Sequence, residues 1–516
     1  MVPIAVEKQN FAARETRGGV GAPGRGIVHG GRMRRLLMGA QFFLVLGAVA
    51  AMSTHTHDDC VDVPEAHHPD DDPTVCFSLS NLSALPKQCL APTWSLNPPC
   101  PKCWTNDAPE YVPGTSPTTL TPELKAALQS QLPQYLDLMQ RQRPPSYADD
   151  GTIFTGIGGR ALLYLKLHEA TGDPKFLAQA NPYVDAMAAK IESQKLDDRA
   201  TGETGFQWSH IGMSCVAALA ADRTGDVAKA GQYVDDVRAA FTSGDGTYDD
   251  FDSGGAGLLY AARFLDENLA PSGKPYIPRP LVYGLASRIV DRGSATATAA
   301  GHPGVMQWHG PNDDGLWLGQ SHGVAGVVQQ LLEVPELLEN ATAVGFLRRT
   351  LDWVVSQQFA SGNFPSEYYN ATEDVLVQWD HGAPGVAAAL LAGWRAFGQA
   401  SYRASAERAL ECVWERGLLL KGLMNCHGIG GNIWMQLYAS KLTGDLKYRY
   451  RALAFLGTVL STPLLSNLTQ MRQPQPLPNA PWGFWTGSIE SSIELWTDLL
   501  YRGPANASMT GWEARL

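Results

Sequence analysis

The amino-acid sequence predicts an all-α fold: an α/α toroid, a double ring of helices with seven repeated units. A Gly-x-x-Gly step recurs along the chain, each step leads into an apolar helical segment, and residues 120–502 show almost no alternating strand pattern. The repeated slot is occupied in chain order by Gly156, His210, Gly254, Gly323, Gly382, Gly428 and Gly487.

Each unit reads as a Gly step, an inner helix, a tight turn and an outer helix. Thr171-Gly172-Asp173 and Thr443-Gly444-Asp445 offer a glycine to end one helix and an aspartate to cap the next. Thr121 followed by Pro122 predicts the start of the first helix. Inner helices that are apolar on most faces need neighbours on both sides. A closed ring provides them, and an open solenoid is the alternative.

The chain upstream of the predicted toroid reads as an export signal and a loop segment. Residues 1–52 combine a Gly- and Arg-rich extension with an apolar run at 36–52, which contains the cleavage pattern Ala48-Val49-Ala50. A cleaved signal peptide and an uncleaved membrane anchor both fit. Either one directs the chain to the secretory pathway, with the toroid on the lumenal or extracellular side. Met33 is an alternative start.

Residues 53–115 form a Cys/Pro/Asp-rich loop segment, the toroid is expected at 116–505, and 506–516 form a tail. In an exported chain, disulfides are expected among Cys60, Cys76, Cys89, Cys100 and Cys103, with one cysteine left over. Glycosylation sequons begin at Asn81, Asn340, Asn370, Asn467 and Asn506. The net charge of −11, with no basic block, argues against a nucleic-acid partner.

The residues just before three consecutive repeat slots are types that bind metals. If the repeats are equivalent, they converge around one axis and form a metal site, because thiolate, imidazole and carboxylate are the zinc donors of proteins. The group is His322, Asp380, His381, Cys426 and His427.

Four stretches carry a resemblance to the lanthionine synthetase C-like family, especially its eukaryotic members, over residues 120–502. They are 319–326 (GQSHGVAG), 361–366 (SGNFPS), 379–385 (WDHGAPG) and 421–428 (KGLMNCHG). The resemblance implies an α/α toroid with one zinc ion held by two cysteines and a histidine. The first cysteine slot is Asp380 in this chain, and Cys426 and His427 match the other two ligands.

The resemblance also implies roles for three further residues. His322 is the expected acid–base group, and Lys421 is the expected contact for an anionic thiol such as glutathione. His381 is a second candidate for substrate binding. The implied reaction is the addition of a small thiol, glutathione or cysteine, to dehydrated Ser or Thr residues of a peptide or protein. Zinc binding deprotonates the thiol, and an imidazole supplies the α-proton.

An aspartate in a cysteine slot leaves several functions open. Oxygen is a harder donor than sulfur, so a slower thiol-addition enzyme, a zinc hydrolase and a metal-free relative all remain. A toroid that binds a ligand or peptide without turnover, as a receptor-like protein, is the non-enzymatic alternative. Carbohydrate processing by Asp252 and Asp380 ranks last, because it assigns no role to Cys426 and His427.

Overall fold

The described part of the chain is helical. The computed structural model describes residues 103–243, 246–310, 315–367, 374–462 and 482–511. These ranges contain no strand beyond two isolated bridges, Cys103 with Leu419 and Trp317 with Glu367. All of them lie in one compact unit that spans residues 57–516.

Seven helices form an inner ring, and each begins at or just after one of the repeat slots found in the sequence. Most of their residues are buried on every face, which is why they require neighbours on both sides. The inner helices are α2 (Ile157–Thr171), α5 (His210–Arg223), α7 (Gly255–Asn268), α9 (Val324–Leu332), α12 (Ala383–Phe397), α14 (Ile429–Thr443) and α16 (Ser488–Thr497).

A second set of helices lies outside this ring and buries only one face of each helix. The outer helices are α1 (Pro122–Gln142), α3 (Pro174–Ala188), α6 (Val227–Ser243), α8 (Arg279–Ala299), α11 (Ala341–Ser356), α13 (Ala400–Arg416) and α15 (Leu446–Ser461). Shorter elements are α4 (Ile191–Thr201), α10 (Pro335–Leu338) and a π-helix (Asp498–Arg502) that continues α16.

The inner ring is closed. Each inner helix packs on the next one, and α16 packs on α2, so the last repeat meets the first. The outer partner of α16 is α1, which precedes the first repeat in the chain. The predicted toroid is therefore confirmed and the open solenoid is not, with one difference: the seventh outer helix comes from the N-terminal side.

Backbone hydrogen bonds join the seven loops that precede the inner helices into a circle. In each bond, an amide N–H of one loop donates to a carbonyl oxygen of the next loop, over 2.8–3.2 Å. The bonds are Phe154 to Gln207, Gly205 to Ser253, Phe251 to Ser321, Gln320 to Asp380, Asp380 to Cys426, Cys426 to Trp485 and Trp485 to Phe154. This circle brings residues that are far apart in sequence to one rim.

The helix ends follow the predicted capping pattern. Thr121 accepts a hydrogen bond from Leu124 N at the start of α1. Asp173 caps α3 after Gly172, whose φ of 68° is left-handed. The same sequence pattern gives the same geometry between α14 and α15. Local sequence therefore determines where these helices begin and end.

The chain on both sides of the repeats packs on the ring. Trp104 is buried, and its backbone N–H donates to Leu418 O over 2.6 Å. Cys103 is disulfide-bonded, as predicted for its group. Residues 506–511, expected to belong to a tail, pack into the ring, where Met509 and Thr510 are buried.

No helix in the described ranges has both the length and the apolar character needed to span a membrane. The apolar run at 36–52 and most of the loop segment lie outside those ranges.

Candidate metal centre

Three buried side chains on the rim hold their ligand atoms close together. Asp380 and His381 come from the loop before α12, and His427 comes from the loop before α14. His427 Nε2 lies 2.9 Å from Asp380 Oδ2, and His381 Nε2 lies 3.4 Å from the same oxygen. One ligand atom from each residue falls within 4.8 Å of the other two. The group is a possible metal site made of two imidazoles and one carboxylate.

The polar atoms of this group fit a cation. Both carboxylate oxygens of Asp380 and Nε2 of His427 are buried, and within the described residues none of them has a well-aligned hydrogen bond; Oδ2 and Nε2 meet as an ion-pair contact. Buried polar atoms normally have well-oriented hydrogen bonds, so the arrangement of Asp380 and His427 is compatible with a cation between them. Donors around a tetrahedral zinc ion lie roughly 3.3 Å apart, because Zn–N and Zn–O distances are about 2.0–2.1 Å. The two separations around Asp380 Oδ2 lie on either side of that value.

Cys426 lies at the other nitrogen of the same imidazole. Its Sγ is 2.8 Å from His427 Nδ1 and 3.3 Å from the carbonyl oxygen of Trp485. The sequence predicted Asp380, Cys426 and His427 as the three ligands. The structure brings Asp380 and His427 together and adds His381 to them, while Cys426 Sγ contacts the Nδ1 atom of His427.

The charges of the neighbouring histidines keep Asp380 ionised. Burial alone would raise the pKa of this carboxyl, but His381, His427 and His322 together hold that pKa well below its usual range. The ring of Trp317, whose centroid lies 4.9 Å from that of His381, covers one side of the group.

His322, the predicted acid–base residue, lies between two buried aspartates. Its Nδ1 is 3.4 Å from Asp250 Oδ1, and its Nε2 is 3.8 Å from Asp252 Oδ2. Although burial opposes the charge, the contact with Asp250 and the charges of Asp252 and Asp380 raise the pKa of His322 to about 9. Burial raises the pKa of Asp252 to about 7. His322 is therefore protonated at neutral pH.

Glycines hold Asp380 in place. Gly382 begins α12 with a φ of 100°, a conformation that side-chain-bearing residues avoid. A Cβ on Gly319 would lie 1.6 Å from the carbonyl oxygen of Asp380. Gly382 therefore requires glycine because of its backbone conformation, and Gly319 requires it because the loop before α9 lies directly on the backbone of Asp380.

The remaining predicted residues are dispersed. Lys421 is buried in the same loop as Cys426. Of the sequons, Asn340 caps α11 and donates through Nδ2 to Tyr283 Oη over 3.1 Å, and Asn506 is exposed. Asn81, Asn370 and Asn467 lie outside the described residues.

A family model described as "Lanthionine synthetase C-like protein" matches residues 147–487 of the 516. This chain belongs to that family. The resemblance inferred from the four stretches is confirmed.

Known proteins share most of the chain. Glutathione S-transferase LANCL1 of Danio rerio is 26% identical over 402 residues, covering 76% of this chain and 93% of the relative. LanC-like protein GCL1 of Arabidopsis thaliana is 29% identical over 381 residues, covering 70% and 81%. The solved structure of nisin cyclase has a TM-score of 0.50 at 13% identity, covering 76% of this chain and 98% of that one. The last likeness supports the LanC-like toroid as a fold.

Sequence reasoning missed two carboxylates that bind rim histidines. Asp250 contacts His322 and lies four residues before the repeat slot at Gly254, outside the two positions before each slot that the repeats bring to the rim. Asp198, on α4, accepts a hydrogen bond from His210 N over 2.7 Å and contacts the ring of that histidine. His210 thus has an acidic partner on α4, a short helix that belongs to neither the inner nor the outer set.

Proposed function

We propose that this chain is a zinc-dependent enzyme that adds a small thiol, glutathione or cysteine, to dehydrated Ser or Thr residues of peptides. The observation that carries the proposal is the convergence of Asp380, His381 and His427 at one rim position, near the protonated His322. Membership of the lanthionine synthetase C-like family supports it. The name of the Danio rerio relative, a glutathione S-transferase, supports glutathione as the thiol.

Asp380, His381 and His427 would hold the ion. A bound zinc ion supplies a Lewis acid that favours the thiolate form of an incoming thiol. Asp380 carries the same single charge as a cysteine thiolate, so the formal charge of the donors does not change when it replaces one. Oxygen gives the metal less electron density than sulfur, so we expect slower thiol addition than a cysteine in this slot would support. Cys426 would orient the His427 ring through Nδ1.

His322 would supply the proton that completes the addition. The thiolate sulfur bonds to the β-carbon of the dehydrated residue, and the electron pair of the double bond moves toward the α-carbon and its carbonyl. The imidazolium of His322 then delivers a proton to the α-carbon. Asp250 and Asp252 hold the imidazolium beside the site before transfer. The proton released by the next thiol restores it.

Two further assignments belong to the same proposal. Lys421 would bind a carboxylate of the thiol, since its ammonium group is the cation of the Cys426 loop. Export through the segment at 36–52 would place the toroid in an oxidising compartment, where reduced glutathione is scarce. There a peptide cysteine would be the more available thiol.

Metal content and thiol addition test the proposal together. Purified full-length protein and the Asp380→Cys variant are analysed for zinc and assayed for thiol consumption with a dehydroalanine peptide. We expect about one zinc ion per chain in both and faster addition by the variant, because sulfur is the softer donor. Wild-type protein that binds no zinc would refute the proposal. Zinc and peptide binding without any turnover would indicate the receptor-like alternative.

The donor set also favours a second candidate, a zinc hydrolase. Two histidines and one carboxylate leave a position for water, and zinc bound in this way lowers the pKa of that water. The assay that separates the candidates is peptide and ester hydrolysis in the absence of any thiol. Hydrolysis that requires Asp380 and His427, with no thiol consumption, would favour this second function.

A further inference from the structure

The segment that follows the last inner helix turns back along that helix. Residues 503–511 leave the π-helix at its end and run antiparallel to α16. Ser508 N donates to Asp498 Oδ2 over 2.9 Å, and two residues later Thr510 N donates to Glu494 Oε1 over 3.0 Å. Two residues along the segment thus correspond to about one turn of the last inner helix, counted back toward the rim.

This C-terminal segment lies in the bore of the inner ring. Gly511 N donates to Tyr260 Oη, on α7, over 3.0 Å. Thr510 Oγ1 accepts from Lys166 Nζ, on α2, over 2.8 Å. In chain order, α7 is the third inner helix, α2 the first and α16 the seventh. A segment that touches all three can only run between them.

A single buried carboxylate joins the C-terminal segment to the loop that carries Cys426 and His427. Glu494 Oε1 accepts from Lys166 Nζ over 2.6 Å and from Thr510 Oγ1 over 2.7 Å. Its other oxygen, Oε2, accepts from Asn425 Nδ2 over 2.9 Å. Glu494 is 1% exposed, so no solvent competes for these bonds.

Asn425 is held from every side. Its Oδ1 accepts from Trp434 Nε1 over 3.1 Å, and its N–H donates to Ser491 Oγ over 3.1 Å. The next residue, Cys426, follows directly and donates its own N–H to Trp485 O over 3.2 Å. A shift of Asn425 would therefore move the Cys426 backbone, and with it the His427 ring.

We infer that residues 503–511 act as an internal clamp on the candidate metal centre, with Thr510 and Glu494 as positioning residues for the Cys426 loop. Thr510 donates hydrogen bonds to the Glu494 carboxylate, and this carboxylate accepts one from the side chain of Asn425. Asn425 in turn fixes the position of the Cys426 backbone. The clamp rests on the geometry of the loop and holds whichever chemistry the site performs.

The test measures how often the Cys426 loop opens. Full-length protein freed of metal with a chelator is treated with iodoacetamide under native conditions, and alkylation is followed by peptide mass spectrometry. The variants are Thr510→Val and Glu494→Gln, which change one polar group each at nearly constant volume. Ala505→Ser, at an exposed position of the same segment, is the matched control. Cys215 and Cys412, which are buried and form no disulfide, report unfolding elsewhere in the ring.

We expect alkylation of Cys426 to accelerate about tenfold or more in both variants, because each loses a hydrogen bond to a charged group. Cys215, Cys412 and the Ala505→Ser control should stay at wild-type rates. Unchanged alkylation of Cys426 would overturn the clamp. An equal rise at all three cysteines would overturn it too, because it would show that the variants only destabilise the ring.

Zinc competition with a chromophoric chelator provides a second readout. Loss of a group that bonds directly to a metal ligand typically weakens metal affinity about 10- to 100-fold; Thr510 acts through Glu494 and Asn425, so we expect the lower end of that range for Thr510→Val. Affinity equal to that of the control would contradict the clamp. If wild-type protein binds no zinc, the proposed function fails, while the alkylation result still decides on the clamp.

Discussion

Replacement of Glu490 by glutamine should destabilise the contact between the first and last repeats, where the ring closes. Arg160 on α2 and Glu490 on α16 are 330 positions apart in sequence, and their Nε and Oε1 atoms lie 3.1 Å apart. The two side chains are 2% and 0% exposed. Arg160 also pairs with Asp149 Oδ2 over 2.6 Å. This buried cluster joins the first repeat to the last.

The magnitude follows from the charge that the substitution leaves behind. Removal of one partner of a buried ion pair costs about 3–5 kcal/mol, since the other charge stays buried without full compensation. Asp149 continues to neutralise Arg160, so we expect the free energy of unfolding to fall by about 3 kcal/mol. Burial raises the pKa of Glu490 even though Arg160 lowers it. The destabilisation therefore comes from the loss of one partner and not from a large net gain of the intact pair.

Urea unfolding of a double-mutant cycle measures the effect. The cycle combines Glu490→Gln with Arg160→Met, and we expect a coupling energy of about 2 kcal/mol. The control is Asp137→Asn, which removes the partner of Arg141 in a pair on α1 that is 61% and 56% exposed. Exposed pairs contribute less than about 1 kcal/mol. A coupling energy near zero would mean that Arg160 and Glu490 do not pair in solution, which would refute this ion pair as a joint of the closed ring.

Three further predictions concern the rim. His381→Gln should reduce the zinc content measured by mass spectrometry while Cys426→Ser keeps it, and the reverse result would restore Cys426 as the third ligand. The pKa of His322 is raised from 6.5 to about 9, so its proton stabilises the fold fully below pH 6.5 and is lost as pH rises through 9. The free energy of unfolding should therefore fall between about pH 7 and 10, less so in His322→Gln, and equal slopes would contradict this. Gly319→Ala should lower the unfolding free energy by at least about 2 kcal/mol and reduce zinc content, because its Cβ would meet the Asp380 carbonyl oxygen; full zinc content would show that the loop adapts.

The sequence by itself determined the helices, the residues at which they end and the number of repeated units in the chain. These features depend on local rules: an apolar period of 3.6 residues, an aspartate that caps a helix start, and a glycine that ends a helix. The recurring Gly step also predicted which loops share a rim, because equivalent repeats place equivalent residues on the same side of a ring. This pattern alone points to Asp380, His381, Cys426 and His427.

Only the tertiary structure decided which of these atoms face one another. A repeat pattern places His427 on the rim but cannot say that Nε2 faces Asp380 while Nδ1 faces Cys426. Nor could local sequence show that Glu490 and Glu494, on the last inner helix, pair with Arg160 and Lys166 on the first. Those contacts join residues more than 300 positions apart, and they exist only because the ring closes.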